Sequence, residues 1–423
     1  MSRFWYLLGL AGKSAWNRKS TLVPVMVSIA LSTTLLIGLE RVRTQLRESF
    51  IQTVSGTDLV VGARGGDLQL LLFAIFHLGG VSNNLGWESV RRLSAKNDVA
   101  WAVPISLGDS HRGFPVVATT GEFFKRYRYQ RDRDLRFVQG APMAGLFDVV
   151  LGARVAQKTG YVLGEKLTLS HGAGKSGLAE HADKPFAVTG LLAPTGTPVD
   201  NSLFISLESM ESIHLDWQGG APIPGFQIQA AQAAKFDLTP KGVTALLLGL
   251  KNRSRVFAVQ RAINSDREEA LMGVMPGVAL DQLWALLNTG EAALLIISGL
   301  VTATGLAGLV SVILAGLGER RRELAILRSA GASPRDIVTL LTLEGLWLMV
   351  TGVICGLGLL CVLIAGLGSR LAESYGLGLR ISPPESGEWF LLGGLVAVGF
   401  LASLVPAWRA YRLSLADGLS VSI

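Results

Sequence analysis

Four apolar runs limit what this chain can fold into. A helix crossing a bilayer core needs about 20 consecutive apolar residues, and the sequence offers such runs at 21–40, 290–317, 337–367 and 389–408. The first stands alone, and a long segment of mixed composition, 41–289, separates it from the other three. Composition agrees with a membrane protein: charged residues make up only 17% of the chain and mean hydropathy is +0.42. The first run, with Lys13, Arg18 and Lys19 ahead of it and Ser28-Ile29-Ala30 inside it, has features of a signal peptide. The apolar run continues past Ala30, however, and passes into the polar helical stretch ERVRTQLRESF, so an uncleaved anchor is expected.

Orientation follows from Lys and Arg in the short flanking segments. Residues 1–19 carry Arg3, Lys13, Arg18 and Lys19 without an acid. The loop 318–336 carries Arg320, Arg321, Arg322, Arg328 and Arg335, and the tail carries Arg409 and Arg412. The segment 368–388 instead sets Arg370 and Arg380 against Glu373, Glu385 and Glu388. The expected fold class is therefore a membrane α-helical protein with four transmembrane helices, arranged 1+3, and a large extracytoplasmic α/β domain inserted after the first. Its expected order is a cytoplasmic segment 1–20, helix 21–40, the outer domain 41–289 with stalk helices at both ends, and helix 290–317. A cytoplasmic loop 318–336, helix 337–367, a short outer loop 368–388, helix 389–408 and a cytoplasmic tail 409–423 complete it.

Within the spans Glu344 is the ionisable residue that stands out. A carboxylate deep in a bilayer is costly and suggests an ion path, but near a helix end it fits a structural role. Gly352 and Gly356 form a small-xxx-small pair that permits close helix approach. Four spans are few for a bundle, which points to a second copy of the chain. Cys355 and Cys361 lie in one apolar run and give neither a disulfide framework nor a metal knuckle.

The segment 41–289 reads as mixed α/β. TDLVVGA (57–63), FPVVAT (114–119), KLTLS (166–170), PFAVTGLL (185–192) and SLFISL (202–207) look like strands between turn signals. The stretch 148–170 reads as strand, short helix, Gly160 stop, Gly164 turn and strand, and helical periodicity is expected over about 242–286. KRYRYQRDRDLRF (125–137) mixes basic and aromatic residues. Asp132 and Asp134 interrupt its charge, so a solvated face is favoured over contact with anionic lipid or protein, and no nucleic acid is expected outside a membrane. All five histidines fall in this domain, and His171 and His181 bracket a loop that also holds Glu180 and Asp183. Imidazole and carboxylate together could hold zinc, which makes His171 and His181 candidate ligands, although a domain this large would collect most histidines in any case.

Leu169-Ser170-His171-Gly172 and Gly174-Lys175-Ser176 imitate pieces of an ATPase. A phosphate-binding loop needs a glycine five positions ahead of its Gly-Lys-Ser, because backbone amides must curl around the β-phosphate. Leu169 stands there, so the stretch is read as a surface turn and no nucleotide site is expected in this chain.

GERRRELAILRSAGASPRDI (318–337) carries more information than its charge. Its order of Arg-Arg-Glu, a small apolar patch and Leu-Arg-Ser-Ala-Gly-Ala-Ser resembles the coupling loop of FtsX/MacB-like (type VII) ABC permeases. The 1+3 arrangement, the tail PAWRAYRLSLADGLS (406–420) and VLGARVAQKTGYVLGEKLTL (150–169) are similar to that family as well, with Leu415 where a proline is usual. The resemblance implies a non-catalytic inner-membrane subunit with both termini cytoplasmic, working as a homodimer with two copies of a cytoplasmic ATP-binding protein. ATP and magnesium would be held by that partner. Arg322, Glu323, Leu324, Leu327, Arg328 and Gly331 would form the ATPase contact, and the outer domain would move in export, extraction or activation of a periplasmic or lipoprotein partner. A regulatory permease that senses a ligand or controls a cell-wall enzyme is the alternative, with a stand-alone secondary transporter behind it.

Overall fold

The computed structural model describes residues 19–53, 56–79, 83–129, 132–172, 179–218, 221–223, 225–319, 321–375 and 381–412. Chain contacts divide it into two units, residues 1–46 with 288–423 and residues 47–287. Both boundaries fall inside helices, Lys19–Thr53 and Pro276–Glu319.

Among its described residues the first unit contains four helices long and apolar enough to cross a membrane, Leu22–Gln45, Ala292–Leu317, Pro334–Gly368 and Ser386–Arg412. Their interior is built from Leu22, Val25 and Ile29 of the first span, Leu309 and Ile313 of the second, Met349, Val353 and Leu360 of the third and Leu392 and Leu395 of the fourth. Lipid tails are as apolar as leucine, so close packing and polar contacts, more than the hydrophobic effect, hold such helices together. A Cβ on Gly352 would stand 2.6 Å from Ile29 Cγ2, and one on Gly356 would stand 2.6 Å from the Ala30 carbonyl oxygen. The two glycines thus let the third span lie directly against the first, and Thr34 Oγ1 donates across that seam to the Gly356 carbonyl at 2.9 Å. Arg41 meets Glu388 in a two-pronged pair at 2.8 and 3.0 Å and also donates to the Ser382 carbonyl, tying the first span to the start of the fourth. Glu344 is buried inside this unit.

The second unit is the inserted α/β domain. Its main sheet runs β10 (Leu271–Val274), β1 (Leu59–Ala63), β9 (Ala245–Leu250), β2 (Val99–His111), β3 (Phe114–Thr119), β8 (Leu203–Ser206), β5 (Asp148–Leu151), β7 (Phe186–Leu192) and β4 (Phe137–Gly140). Short β6 (Ser170–His171) pairs with the far end of β2. Most pairs are antiparallel, but β8 with β3 and β7 with β5 are parallel. Alternation sorts the side chains. Leu59, Val61, Val116, Ala118, Val149, Leu151, Leu246 and Leu248 face one side with α2 (Trp87–Ser94), α3 (Ala153–Thr159), α4 (Leu207–Ile213) and α5 (Val256–Asn264). Val60, Val103, Ile105, Val117, Val150 and Leu247 face the other with α1 (Asp67–Phe76) and residues 279–280.

Helices on both faces explain one departure from the sequence reading. Residues 242–286 are not one helical stretch, because β9, helix α5 and β10 all form before the next helix starts at Pro276. Every residue of β9 is buried; a strand covered on both faces loses its alternation and cannot be told from a buried helix by period. The stretch 148–167 folds as strand, helix, Gly160 stop at φ 73°, Gly164 turn at φ 84° and strand. In residues 125–137 the aromatics turn inward, Tyr127 and Tyr129 being buried, while Arg128 pairs with Asp134 at 2.9 Å. Burial raises the Tyr127 phenol well above its usual range.

Helix α1 ends without glycine. His77 takes the left-handed conformation at φ 56°, and the Leu78 amide closes back onto the Leu72 carbonyl, the pattern that satisfies the last carbonyls of a helix. Its Nδ1 lies 2.8 Å from Ser202 Oγ, and burial pushes the imidazole down to about 4.

Two outcomes follow. Alanine at Gly352 or Gly356 crowds the seam, where overpacking costs about 1–3 kcal/mol; thermal unfolding in detergent will shift down for both and stay put for Gly358→Ala, whose Cβ meets nothing. Because His77 binds its proton more weakly folded than unfolded, its contribution is intact above pH 6.5 and declines as pH falls toward about 4. A shift of that size sets an upper bound of about 3 kcal/mol on the loss, reduced by the solvent that still reaches the half-buried ring. His77→Asn, which tolerates the left-handed turn, will show a smaller drop in unfolding temperature between pH 7 and pH 4 than the parent.

Candidate functional site

Two places carry unusual chemistry. The first is the loop between the second and third spans. Arg321–Ser329 forms a separate helix, stopped by Gly331 at φ 98°. The Ala332 amide returns to the Leu327 carbonyl. Ser333 and Asp336 then start the third span's helix, Ser333 Oγ and its amide both reaching Asp336 Oδ2 at 2.7 and 2.8 Å. Of the residues singled out from sequence, the side chains of Arg322, Glu323 and Leu324 lie outside the described residues. Leu327 is half-buried and packs against the membrane core, beside buried Ala325. Among the described side chains of this helix, Ile326 is the apolar one turned outward, 58% exposed. Sequence alone did not select it, because a period-3.6 reading shows an apolar stripe but not which side of the stripe a neighbour covers.

The second place is at the far end of β2. Val103, Ile105 and Leu107 lie on one face of the sheet, so strict alternation would put Asp109 there too. The pairing with β3 slips instead between Leu107 and Ser110, where one extra residue is accommodated. Such a bulge re-aims the side chains beyond it, and Asp109 turns to the opposite face, the one that carries α4. Directly across the ladder from Asp109 stands His171 of β6, and directly opposed residues of an antiparallel pair share a face. His214 follows α4 on that same face, and His181 enters from the segment after Glu180, its amide held by the Leu169 carbonyl at 2.8 Å.

Four side chains therefore converge, Asp109, His171, His181 and His214, and one ligating atom of each lies within 4.8 Å of all the others. Asp109 Oδ1 is 3.0 Å from His171 Nδ1 and 4.0 Å from His181 Nε2, while Asp109 Oδ2 is 3.7 Å from His214 Nε2. His171 Nδ1 and His214 Nε2 are 3.1 Å apart. His214 Nδ1 sits 2.8 Å from the Met210 carbonyl, so that nitrogen carries the proton and Nε2 presents a lone pair to the cluster. Asp109 and His181 are buried, at 3% and 1% exposure. Asp109 Oδ2 and both ring nitrogens of His181 have no hydrogen-bond partner among the described residues, a costly arrangement for buried polar atoms. The bond to Asp109 raises the His171 imidazole above its ordinary value, whereas burial pushes His181 down to about 4.

Neighbouring residues fix this arrangement. Lys184 is fully buried and reaches Asp183 at 2.9 Å and Asp216 at 2.8 and 3.0 Å, clamping the turn that holds His181 to the chain just past His214. Trp217 covers the group, its ring 4.5 Å from His181 and 4.9 Å from His171 between centroids. Sequence proximity suggested His171 and His181; the structure brings them together and adds Asp109 and His214 from other elements. Asp183 faces Lys184 instead, and the Gly174-Lys175-Ser176 turn lies outside the described residues. The trace that could have pointed to Asp109 is Gly108, a glycine inside a strand pattern and so a sign of a bulge.

A four-span membrane unit with a two-faced α/β domain inserted after its first helix defines a class of protein, and comparison with known proteins gives the family. The MacB-like periplasmic core domain matches residues 21–265 and the FtsX-like permease C-terminal domain matches residues 295–415. The chain belongs to this family of ABC transporter permeases. Similar proteins include the macrolide export ATP-binding/permease protein MacB of Nitrobacter winogradskyi, 23% identical over 98% of this chain and 61% of that one. The lipoprotein-releasing system transmembrane protein LolC of Neisseria meningitidis is 24% identical over 65% of each chain. The pyoverdine export ATP-binding/permease protein PvdT of Pseudomonas fluorescens is 29% identical over 54% of this chain and 32% of that one. The chain spans less than two thirds of the length of these relatives. Among solved structures, the periplasmic region of MacB from Actinobacillus actinomycetemcomitans matches with 10% identity and a TM-score of 0.33, over 55% of this chain and 97% of that one. At that score it carries no geometry over to this site.

Proposed function

We propose that this chain is the inner-membrane permease subunit of an ABC system and is driven by a separate cytoplasmic ATP-binding protein. The observation that carries the reading is the helix Arg321–Ser329, set between two spans in an arginine-rich loop, with Ile326 turned outward. A short amphipathic helix of this kind fits a groove on a soluble partner, and the basic residues beside it support a cytoplasmic side for the loop and for both termini. Arg322, Glu323, Leu324, Arg328 and Ile326 form the contact, Leu327 anchors the helix to the bundle, and Gly331 ends it.

Two copies of the chain would pair with two copies of the ATPase, and ATP with magnesium would stay on that partner. Motion of the loop helix passes into the spans and reaches the inserted domain through the helices Lys19–Thr53 and Pro276–Glu319, which continue into it. The chain would thus do mechanical work in the envelope and carry out no chemistry of its own. The printed names of its relatives refer to lipoproteins, a macrolide and pyoverdine, so they supply no single cargo.

The test is co-purification of a C-terminally tagged chain in detergent. A stoichiometric ATP-binding protein is expected with the parent, and Ile326→Asp with Glu323→Lys will reduce its recovery at least about tenfold while the permease stays monodisperse. Undiminished recovery with that double variant, or a parent that purifies with no ATPase, would overturn the reading. Orientation is checked with single cysteines in a cysteine-free background. A cysteine at Ser329 will react with an impermeant reagent only in inverted vesicles, and one at Val138, exposed on the inserted domain, only in right-side-out ones.

A further inference from the structure

We infer that Asp109, His171, His181 and His214 form a binding site for a divalent transition-metal ion, with zinc as its natural occupant. Three observations point there together. The donor set is three imidazoles and one carboxylate, the borderline nitrogen-rich chemistry that suits zinc and not the hard, oxygen-seeking magnesium or calcium. The donor atoms are spaced as a small ion requires. Bonds of about 2.0 Å in a tetrahedron put neighbouring ligands roughly 3.3 Å apart; here His171 and His181 stand 3.0 and 4.0 Å from Asp109 Oδ1, His214 stands 3.7 Å from Asp109 Oδ2 and 3.1 Å from His171, and one ligating atom of each residue lies within 4.8 Å of the others.

The third observation is the unsatisfied polarity. Asp109 Oδ2 and both nitrogens of His181 are buried in the cluster with no hydrogen-bond partner among the described residues, and a metal ion would use the carboxylate and one of the nitrogens. Two imidazole nitrogens 3.1 Å apart can share one proton at most, whereas a cation can accept a lone pair from each. The proton held by His171 Nδ1 would leave to solvent when the ion enters. The surroundings match what metal ligands need. His214 is oriented by the Met210 carbonyl, the outer contact that fixes a ligating tautomer, and the buried Lys184–Asp216 pair holds the turns carrying His181 and His214 together. His171 and His214 keep about a quarter of their side chains exposed, which gives the ion a way in.

All four ligands come from the chain, so the site has the closed form of a structural or regulatory centre. Its ion would join four points of the domain: the end of β2, strand β6, the turn at His181 and the end of α4. Occupancy would tie the turn at His181 to the end of β2, to β6 and to the end of α4. This inference does not depend on the ATPase partner.

The experiment uses the full chain in detergent with a tag free of histidine, stripped with a chelator and titrated with zinc alone by calorimetry, with bound metal counted by mass spectrometry. One zinc per chain is expected. Asp109→Asn, His171→Gln, His181→Gln and His214→Gln will each raise the Kd at least about 100-fold, beyond the 10–100-fold typical of losing an outer contact. Cobalt in place of zinc will give the visible bands of a tetrahedral centre, lost in the same variants. His77→Asn will bind like the parent. His171→Gln changes the half-exposed edge of the cluster and should leave the fold intact, so it decides the matter: wild-type affinity in this variant, or a parent that takes up no stoichiometric zinc, overturns the inference.

Discussion

The membrane unit depends on a seam of small side chains. The first span enters the sequence long before the other three, and the large domain between them gives it no local reason to sit beside any of them. What lets it do so is that Gly352 and Gly356 present bare backbone to Ile29, Ala30 and Thr33. Dispersion falls off so steeply with distance that a gap of about 0.5–1 Å forfeits roughly a quarter to a half of the attraction. Once the seam has formed, Arg41 can reach Glu388 and the fourth span is tied in at its start. An ion pair with both side chains at least nine-tenths buried is worth little as a source of stability, but removing one partner leaves an uncompensated charge in an apolar setting. Its effect here is to make one arrangement of the helix ends much better than its neighbours.

The inserted domain solves a different problem. Its central strands are covered on both faces by helices, so they are mostly apolar. The polar residues of such a sheet are pushed to strand ends, where Asp109 and His171 lie. Chemistry at the edge of a two-faced sheet is cheap to build, because the strands fix positions and the connecting turns bring in the remaining side chains. The Lys184–Asp216 pair serves this purpose: burial alone would raise the Asp216 carboxyl, but the ammonium and the Ile228 amide outweigh it and hold the group below its ordinary value.

How much could be seen from sequence divides along the same lines. The spans were legible because hydropathy over about 20 residues is a property of one segment, as were Gly160 and Gly164 as turn glycines. The helix Arg321–Ser329 followed from residue order, but which of its apolar residues faces outward did not, since that depends on what covers Leu327. Residues 245–250 were illegible because a strand buried on both sides has no period to detect. For the cluster, His171 and His181 could be paired by nearness along the chain. His214 and Asp109 reach it through a helix end and a slipped strand, and no spacing rule links positions 109, 171, 181 and 214.

The bulge before Asp109 has a consequence for descent. The residue count between Leu107 and Ser110, and not the identity of any side chain there, determines which face of the sheet receives the carboxylate. A relative that has lost one residue in this stretch would keep an aspartate in any alignment and yet point it into the other core, away from the three imidazoles. Strand length at this point, read across the family, would therefore separate chains able to assemble the four-residue cluster from those that merely contain its letters.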